Sequence, residues 1–208
     1  RVAVLSVHTC PLAPLGGWET GGMNVYVREL SRGLSRLGVQ TDVFTRRQNP
    51  DVPDVVQLDE HARVIHVEAG PPRGMDKYAV VDYLSEFACN VQRYRNFNGA
   101  RYDLIHAHYW LSGRLAGLFK EHWNTPVVAM FHTLGDMKNR VAQDSAELEQ
   151  QIRVDIERRT MATADRLIAA TKTDREHMVQ GYGADVRRIS IVPGGVELEV
   201  FRPGSRDE

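Results

Sequence analysis

Neither sign of charge is in excess in this chain: 26 Lys and Arg stand against 27 Asp and Glu, a formal charge of -1 over 208 residues. That balance removes the bulk attraction on which nucleic-acid and anionic-membrane binding rest, so no nucleic-acid partner is expected. Cysteine is scarce. Cys10 and Cys89 could form one bridge but no disulfide framework, and two thiols in a core-rich domain are expected to be buried, in a reducing, cytoplasmic setting. No run approaches the ~18 apolar residues of a membrane helix, and the opening Arg1-Val2-Ala3-Val4-Leu5 shows no basic and then apolar leader. Three catalytic signatures are also missing: the G-x-S-x-G elbow of hydrolases, the Walker phosphate loop, and a D-x-D pair to hold a divalent metal against a nucleotide sugar.

What is there is an ordinary globular composition, 42% hydrophobic and 25% charged, in a chain long enough to bury roughly 70% of its unfolded surface. Apolar runs of strand length alternate with stretches of helical period. Strands are expected at Val2 to Val7, Thr41 to Thr45, Val64 to Val67, Leu104 to His106, Val127 to Phe131, Arg166 to Ala170 and Ile189 to Val192. Helices are expected from about Asn24 to Leu37, Tyr78 to Phe97, Leu111 to His122, Gln143 to Thr163 and Thr173 to Gln180. Strands apolar on both faces, such as Val127-Val128-Ala129-Met130-Phe131, imply a parallel sheet covered on each side. The expected fold is therefore α/β, a single Rossmann-like doubly wound parallel sheet. In such sheets ligands sit beyond the carboxyl ends of the strands.

The first strand tip opens a long loop, His8 to Gly22, with two prolines and four glycines. Gly21 and Gly22 stand just before a helix that begins near Asn24, where backbone N–H groups and the helix dipole favour an anion. The plainer reading is a turn with Asn24 as the cap. The pattern is not G-x-G-x-x-G, and Arg46-Arg47 follow the second strand where a dinucleotide site would place an acidic residue. An NADP-type reading rests only on the fold and that arginine pair.

Two further tips read His106-Ala107-His108-Tyr109-Trp110 and His132-Thr133. Convergence raises them above lone structural histidines, whereas no carboxylate at suitable spacing supports zinc, and no metal is expected. Lys77, Lys138 and Arg153 could serve a phosphate. Arg153 has Glu149 and Glu157 four residues to either side, which reads as helix-surface pairing. Leu148, Ile152 and Ile156 make the expected apolar stripe, with Arg153 beside it. The last segment, Val192-Pro193-Gly194-Gly195-Val196 to Phe201-Arg202-Pro203-Gly204, turns polar and Pro/Gly-rich like the start of a linker.

Gly21-Gly22-Met23-Asn24-Val25-Tyr26-Val27, His106-Ala107-His108-Tyr109-Trp110, Phe131-His132-Thr133, the Arg153 and Glu157 helix, and Val192-Pro193-Gly194-Gly195-Val196 with Phe201-Arg202-Pro203 carry a resemblance. Together they resemble the N-terminal domain of retaining GT-B glycosyltransferases (family 4 type), in the group of sucrose-phosphate synthase and D-inositol-3-phosphate glycosyltransferase. The resemblance implies the N-terminal half of a GT-B fold: residues 1–195 as the acceptor-binding domain, 196–208 as the start of an interdomain linker, and a C-terminal donor-binding domain absent from this chain. It implies an acceptor phosphate held by Asn24, Lys77, Tyr109, Thr133 and Arg153. His132 would lie near the reacting centre as the catalytic candidate, and Gly21 and Gly22 would meet the donor phosphate. The implied reaction is metal-independent, retaining hexosyl or N-acetylglucosaminyl transfer from a nucleotide sugar, a UDP-sugar as co-substrate, to a phosphorylated polyol or sugar such as inositol phosphate. No other cofactor is implied, and the isolated domain is expected to be inactive. The alternative is a free-standing Rossmann-like module that binds a phosphorylated metabolite without catalysis. The sequence leaves a homodimer open.

Overall fold

The computed structural model describes residues 1–14, 16, 21–196, 198 and 201. Gly17 to Thr20 of the long loop, and the linker expected at 196–208 apart from Val196, Leu198 and Phe201, lie outside the described residues.

Eight strands form one sheet: β1 (Val2–Leu5), β2 (Thr41–Arg46), β3 (Val55–Asp59), β4 (Ala62–Val67), β5 (Leu104–His108), β6 (Val127–Met130), β7 (Arg166–Ala169) and β8 (Ile189–Ile191). Their order across the sheet is β3-β4-β2-β1-β5-β6-β7-β8. All neighbouring pairs are parallel except β3–β4. The chain leaves β1 toward β2 on one side and returns to β5 on the other, so the topological switch point, where doubly wound sheets bind ligands, lies between the tips of β1 and β5.

Alternation along β1 shows that both faces are covered. Ala3 and Leu5 join the larger core with Phe87 of α2 (Leu84–Phe97) and Leu111 of α3 (Tyr109–Trp123). Val2 and Val4 join a smaller core with Val27 of α1 (Gly22–Arg36). The remaining helices are α4 (Gly135–Val141), α5 (Gln151–Thr163) and α6 (Lys172–Tyr182). No helix among the described residues is long and apolar enough to cross a membrane.

The structure corrects five expectations. β3 is an antiparallel edge strand that periodicity missed, because its burial is irregular and its outer side faces solvent. The helix expected from Tyr78 begins as a 3-10 turn, Ala79–Tyr83. The helix expected from Gln143 to Thr163 is broken: Ser145–Glu147 is a single 3-10 turn capped by Asp144, and Leu148 is extended. The break has a physical cause. The Glu149 N–H donates to Asn139 Oδ1 (2.7 Å), and Asn139 Nδ2 donates back to the Glu149 carbonyl (3.3 Å), so α4 holds this backbone in place of a helical ladder. The expected stripe also fails at two of its three positions. Leu148 is 50% exposed and Ile152 38% exposed, while α5 buries Arg153, Ile156 and Glu157. Finally, both cysteines are free, Cys10 half-buried and Cys89 exposed, which corrects their expected burial.

Candidate functional site

The expected site residues come from elements that meet at the carboxyl edge of the sheet, and most of them join one network. At the tip of β6, Phe131, His132 and Thr133 make a γ-turn: the Thr133 N–H donates to the Phe131 carbonyl at 2.7 Å, with His132 at φ 63°. At the tip of β5, Tyr109 opens α3 at φ 73°. Left-handed backbone at a non-glycine residue costs about 1–2 kcal/mol. Two such residues on adjacent tips fix where one imidazole and one phenol point.

Arg153 is the node, with a side chain 0% exposed. Its Nε donates to Glu157 Oε1 (2.8 Å), Nη1 to the Tyr109 hydroxyl (3.1 Å), and Nη2 to the Thr133 carbonyl (2.9 Å) and Oγ1 (3.0 Å). Nη1 also stands 2.9 Å from Glu149 Oε1. Four of the five guanidinium N–H groups therefore donate within the protein. The helix-surface pairing expected for Arg153 is instead a buried triad of one cation and two carboxylates. Removing one member of such a group costs about 3–5 kcal/mol by leaving a charge uncompensated. Burial disfavours the charged guanidinium, but its interactions with Tyr109, Glu157 and Glu149 outweigh burial and raise the Arg153 pKa.

Glu149 is the second node. Its Oε1 accepts from Lys77 Nζ (2.9 Å) and Lys138 Nζ (2.5 Å), and its Oε2 from the Tyr78 hydroxyl (2.5 Å). Burial disfavours the carboxylate, but hydrogen bonds from Lys138, Tyr78 and Lys77 and the Arg153 charge overcome that and lower its pKa to about 2. Lys77, Lys138 and Arg153 thus gather around Glu149, with Glu157 behind Arg153, so this part of the site carries three cations against two carboxylates.

The structure brings Lys77, Tyr109, Thr133 and Arg153 into this network but does not bond Asn24 to it. Asn24, buried in the first turn of α1, donates from Nδ2 to the Cys10 carbonyl (3.1 Å), and its Oδ1 meets no hydrogen-bond partner among the described residues. Gly21 caps α1 and Gly22 opens it. A Cβ on either would meet nothing within 4 Å among the described residues, so internal packing does not require glycine there.

His132 faces a histidine cluster. Its Nε2 is 3.0 Å from His108 Nδ1, and the His106 and His108 rings are 4.1 Å apart by centroid. Tyr26 of α1 packs edge-on against His132 at 5.2 Å, and His8 stacks on Tyr109 at 5.6 Å. Burial lowers the pKa of His132 to about 4, and burial with the His132 charge lowers His106 to about 4. His108 falls well below its usual range for the same reasons. These imidazoles are neutral near pH 7, so they orient and exchange hydrogen bonds and carry no charge.

Two cavities open beside the network. One, of about 470 Å³, includes Lys77, Tyr78, Lys138 and Glu149 in its wall. The other, of about 250 Å³, includes His132, Thr133, Leu134, Lys138 and Met178. Among the described residues no group of three or more His, Cys, Asp or Glu side chains could hold a metal. The arginine pair does not offer an NADP phosphate site: Arg46 is buried, and its guanidinium donates to the carbonyls of Arg47 (3.2 Å), Pro71 (2.9 Å) and Arg73 (2.6 Å). Sequence reading missed Glu149 and Tyr78 as site residues. The signal for Glu149 was a carboxylate four residues before a cation expected beside the buried face.

The family model "Glycosyltransferase Family 4" matches residues 20–200. A D-inositol 3-phosphate glycosyltransferase from Xylanimonas cellulosilytica is 43% identical over 204 residues, 98% of this chain and 49% of the relative. One from Geodermatophilus obscurus is 42% identical over 207 residues, 99% of this chain and 46% of the relative. The chain spans about half the length of the curated relatives it matches. Among solved structures, sucrose-phosphate synthase from Thermosynechococcus elongatus superposes with a TM-score of 0.90 at 30% identity, over 98% of this chain and 50% of that one. Anabaena HepE in complex with UDP shares the fold, with a TM-score of 0.64 at 13% identity, over 100% of this chain and 47% of that one.

Proposed function

The chain belongs to glycosyltransferase family 4, and from that premise we propose that it is the acceptor-binding half of a retaining glycosyltransferase. In this reading residues 1–195 bind a phosphorylated polyol or sugar, inositol phosphate being the reference case, for metal-independent transfer from a UDP-sugar. The observation that carries it is the cationic surplus at the strand tips, where Lys77, Tyr109, Thr133 and Arg153 share one network. A phosphate dianion complements such a surplus, and the Tyr109 and Thr133 hydroxyls and the Lys77 ammonium supply its donors. With a net charge near zero, affinity for phosphate rests on these placed cations.

The open backbone at Gly21 and Gly22, at the positive end of α1, suits close approach by the donor's phosphates. His132, held by the γ-turn and by His108, is the candidate closest in character to a group that positions the transferred sugar. UDP in the HepE structure and the half-length coverage of the relatives support a nucleotide donor held by a second domain. The chain's contribution is then positioning and electrostatic support, and alone it would not turn over.

Titration calorimetry of the chain tests the reading with inositol monophosphate, fructose 6-phosphate and unphosphorylated inositol. The expected result is saturable heat with a phosphorylated ligand, weakened roughly tenfold by Lys77→Met, as for loss of one charged hydrogen bond. Absence of heat with every phosphorylated ligand, or equal affinity for inositol and its phosphate, would overturn it.

A further inference from the structure

Cys10, in the loop after β1, takes no part in the network above and is not an isolated thiol. Its Sγ stands 3.4 Å from Nε2 of His66 on β4, and the Leu12 N–H donates to the same sulfur at 3.4 Å. The other ring nitrogen of His66 fixes the sense of that contact. Nδ1 is 2.7 Å from the Pro53 carbonyl, which can only accept, so Nδ1 carries the ring hydrogen and the neutral imidazole turns its Nε2 lone pair to sulfur. His66 is buried, and its backbone N–H donates to the Asp54 carbonyl at 2.8 Å, which holds the ring in place. A nucleophile, a base within hydrogen-bond reach and a third group that orients the base form the arrangement that activates a side chain for attack.

Exposure and this geometry rank the two cysteines in opposite order. Cys89 is exposed on α2 and Cys10 is half-buried, so by access alone Cys89 reacts first. Burial raises the Cys10 pKa against the N–H groups of Leu12 and Ala13, and the resting sulfur is therefore the thiol. Such a thiol reacts only if its proton is taken during the attack, and His66 Nε2 stands where that proton leaves. A half-buried sulfur admits small electrophiles only. Cys10 packs on the smaller core and Cys89 sits on α2 against the larger one, so the two thiols lie on opposite faces of the sheet and no disulfide between them competes.

We propose that Cys10 is a modification site for small hydroperoxides, with His66 as its general base. Sulfur attacks one peroxide oxygen: an S–O bond forms, the O–O bond breaks, and sulfur gives up the two electrons that reduce the peroxide. The Sγ proton passes to His66 Nε2 and from there to the departing oxygen, which leaves as water when the oxidant is hydrogen peroxide. Cys10 becomes a sulfenic acid and His66 returns to its neutral form. The Leu12 N–H steadies the negative charge that builds on sulfur as its proton leaves. The carbonyl of the same residue accepts from Asn24 Nδ2, which sets the modified residue against the first turn of α1.

The test follows both cysteines within one chain. The wild-type chain is exposed to limiting hydrogen peroxide with dimedone, which alkylates sulfenic acids, and labelling of Cys10 and Cys89 is timed by peptide mass spectrometry in buffer and in urea. In the folded chain Cys10 is expected to be labelled faster than the more exposed Cys89, and in urea, where the pair is dispersed, that lead should vanish. In His66→Gln, whose amide reaches the position of Nε2 but takes up no proton, Cys10 labelling should slow roughly a hundredfold, the lower end of what a positioned base supplies, with Cys89 unchanged. Where circular dichroism shows His66→Gln unfolded, the comparison of folded and urea-unfolded wild type decides alone. Cys10 labelled no faster than Cys89 in the folded chain, a lead that survives in urea, or a Cys10 rate that a folded His66→Gln leaves unchanged overturns the assignment. None of these results bears on the phosphate reading above.

Discussion

His106, His108 and His132 show how burial sets chemistry residue by residue. His106 and His108 are buried and His132 is half-buried, so the charged form is disfavoured at all three rings, and the pKa of His106 and His132 falls from 6.5 to about 4. The sign of the pH dependence follows. The unfolded chain takes up protons near pH 6.5 and the folded chain only near pH 4, so stability is full above pH 6.5 and is lost as the pH falls toward 4. Between pH 7.5 and pH 5 each imidazole alone would withdraw about 2 kcal/mol, and the coupled rings together less than the sum. Urea unfolding at the two pH values should show this loss, with a smaller one in His106→Gln. A stability independent of pH over that window would contradict buried neutral imidazoles. Such residues were legible as candidates because they stand at or just beyond strand ends, but the depth that neutralises them was not. The same gap hid Glu149: in one dimension a carboxylate four residues before Arg153 describes an exposed helix pair as well as it describes a buried hub.

Among elements, α5 carries the site and departs most from its pattern. A helix with Leu148, Ile152 and Ile156 in register should bury that stripe, yet α5 presents Arg153 and Glu157 inward, because Thr133 of the β6 tip, Gly135 of α4 and Tyr109 of α3 supply partners for both charges. Close packing makes this fit possible. At Gly113 of α3 a Cβ would lie 2.7 Å from Thr160 Oγ1 and 2.8 Å from its Cγ2, on the face where α3 meets α5. Gly113→Ala gains up to about 1 kcal/mol in helix propensity but overpacks a buried contact at a cost of about 1–3 kcal/mol. The clash is the larger effect, and thermal unfolding should show a net loss of about 1 kcal/mol. An unchanged or raised Tm would mean that α3 and α5 are not in this contact. Apart from β3, the strands were read to within two residues at each end, since strands of a parallel sheet are mostly apolar. α4 was not, because its seven residues are too few to show a period and its place is set by Glu157 and Asn139 contacts distant in sequence.

Over the whole molecule, a chain with a formal charge of only -1 concentrates a local surplus of positive charge at the carboxyl edge of its sheet. Strand order alone places the switch point between β1 and β5, and the sequence pattern of alternating strands and helices foretold that edge. The residue types at the tips were legible too, whereas the network joining them depends on side chains from α3, the turn after β6, α4, α5 and the segments before α2 and α5 meeting in space. Phosphate recognition at that network is the central claim, and the side-chain Nε–H resonance of Arg153 reports on it directly, being buried and hydrogen-bonded to Glu157. In a two-dimensional ¹H–¹⁵N NMR titration with inositol monophosphate, the account predicts saturable shifts of that resonance together with the Lys77, Tyr109 and Thr133 amides, and none with unphosphorylated inositol. Saturable binding that moves resonances elsewhere and leaves these four unmoved would contradict it.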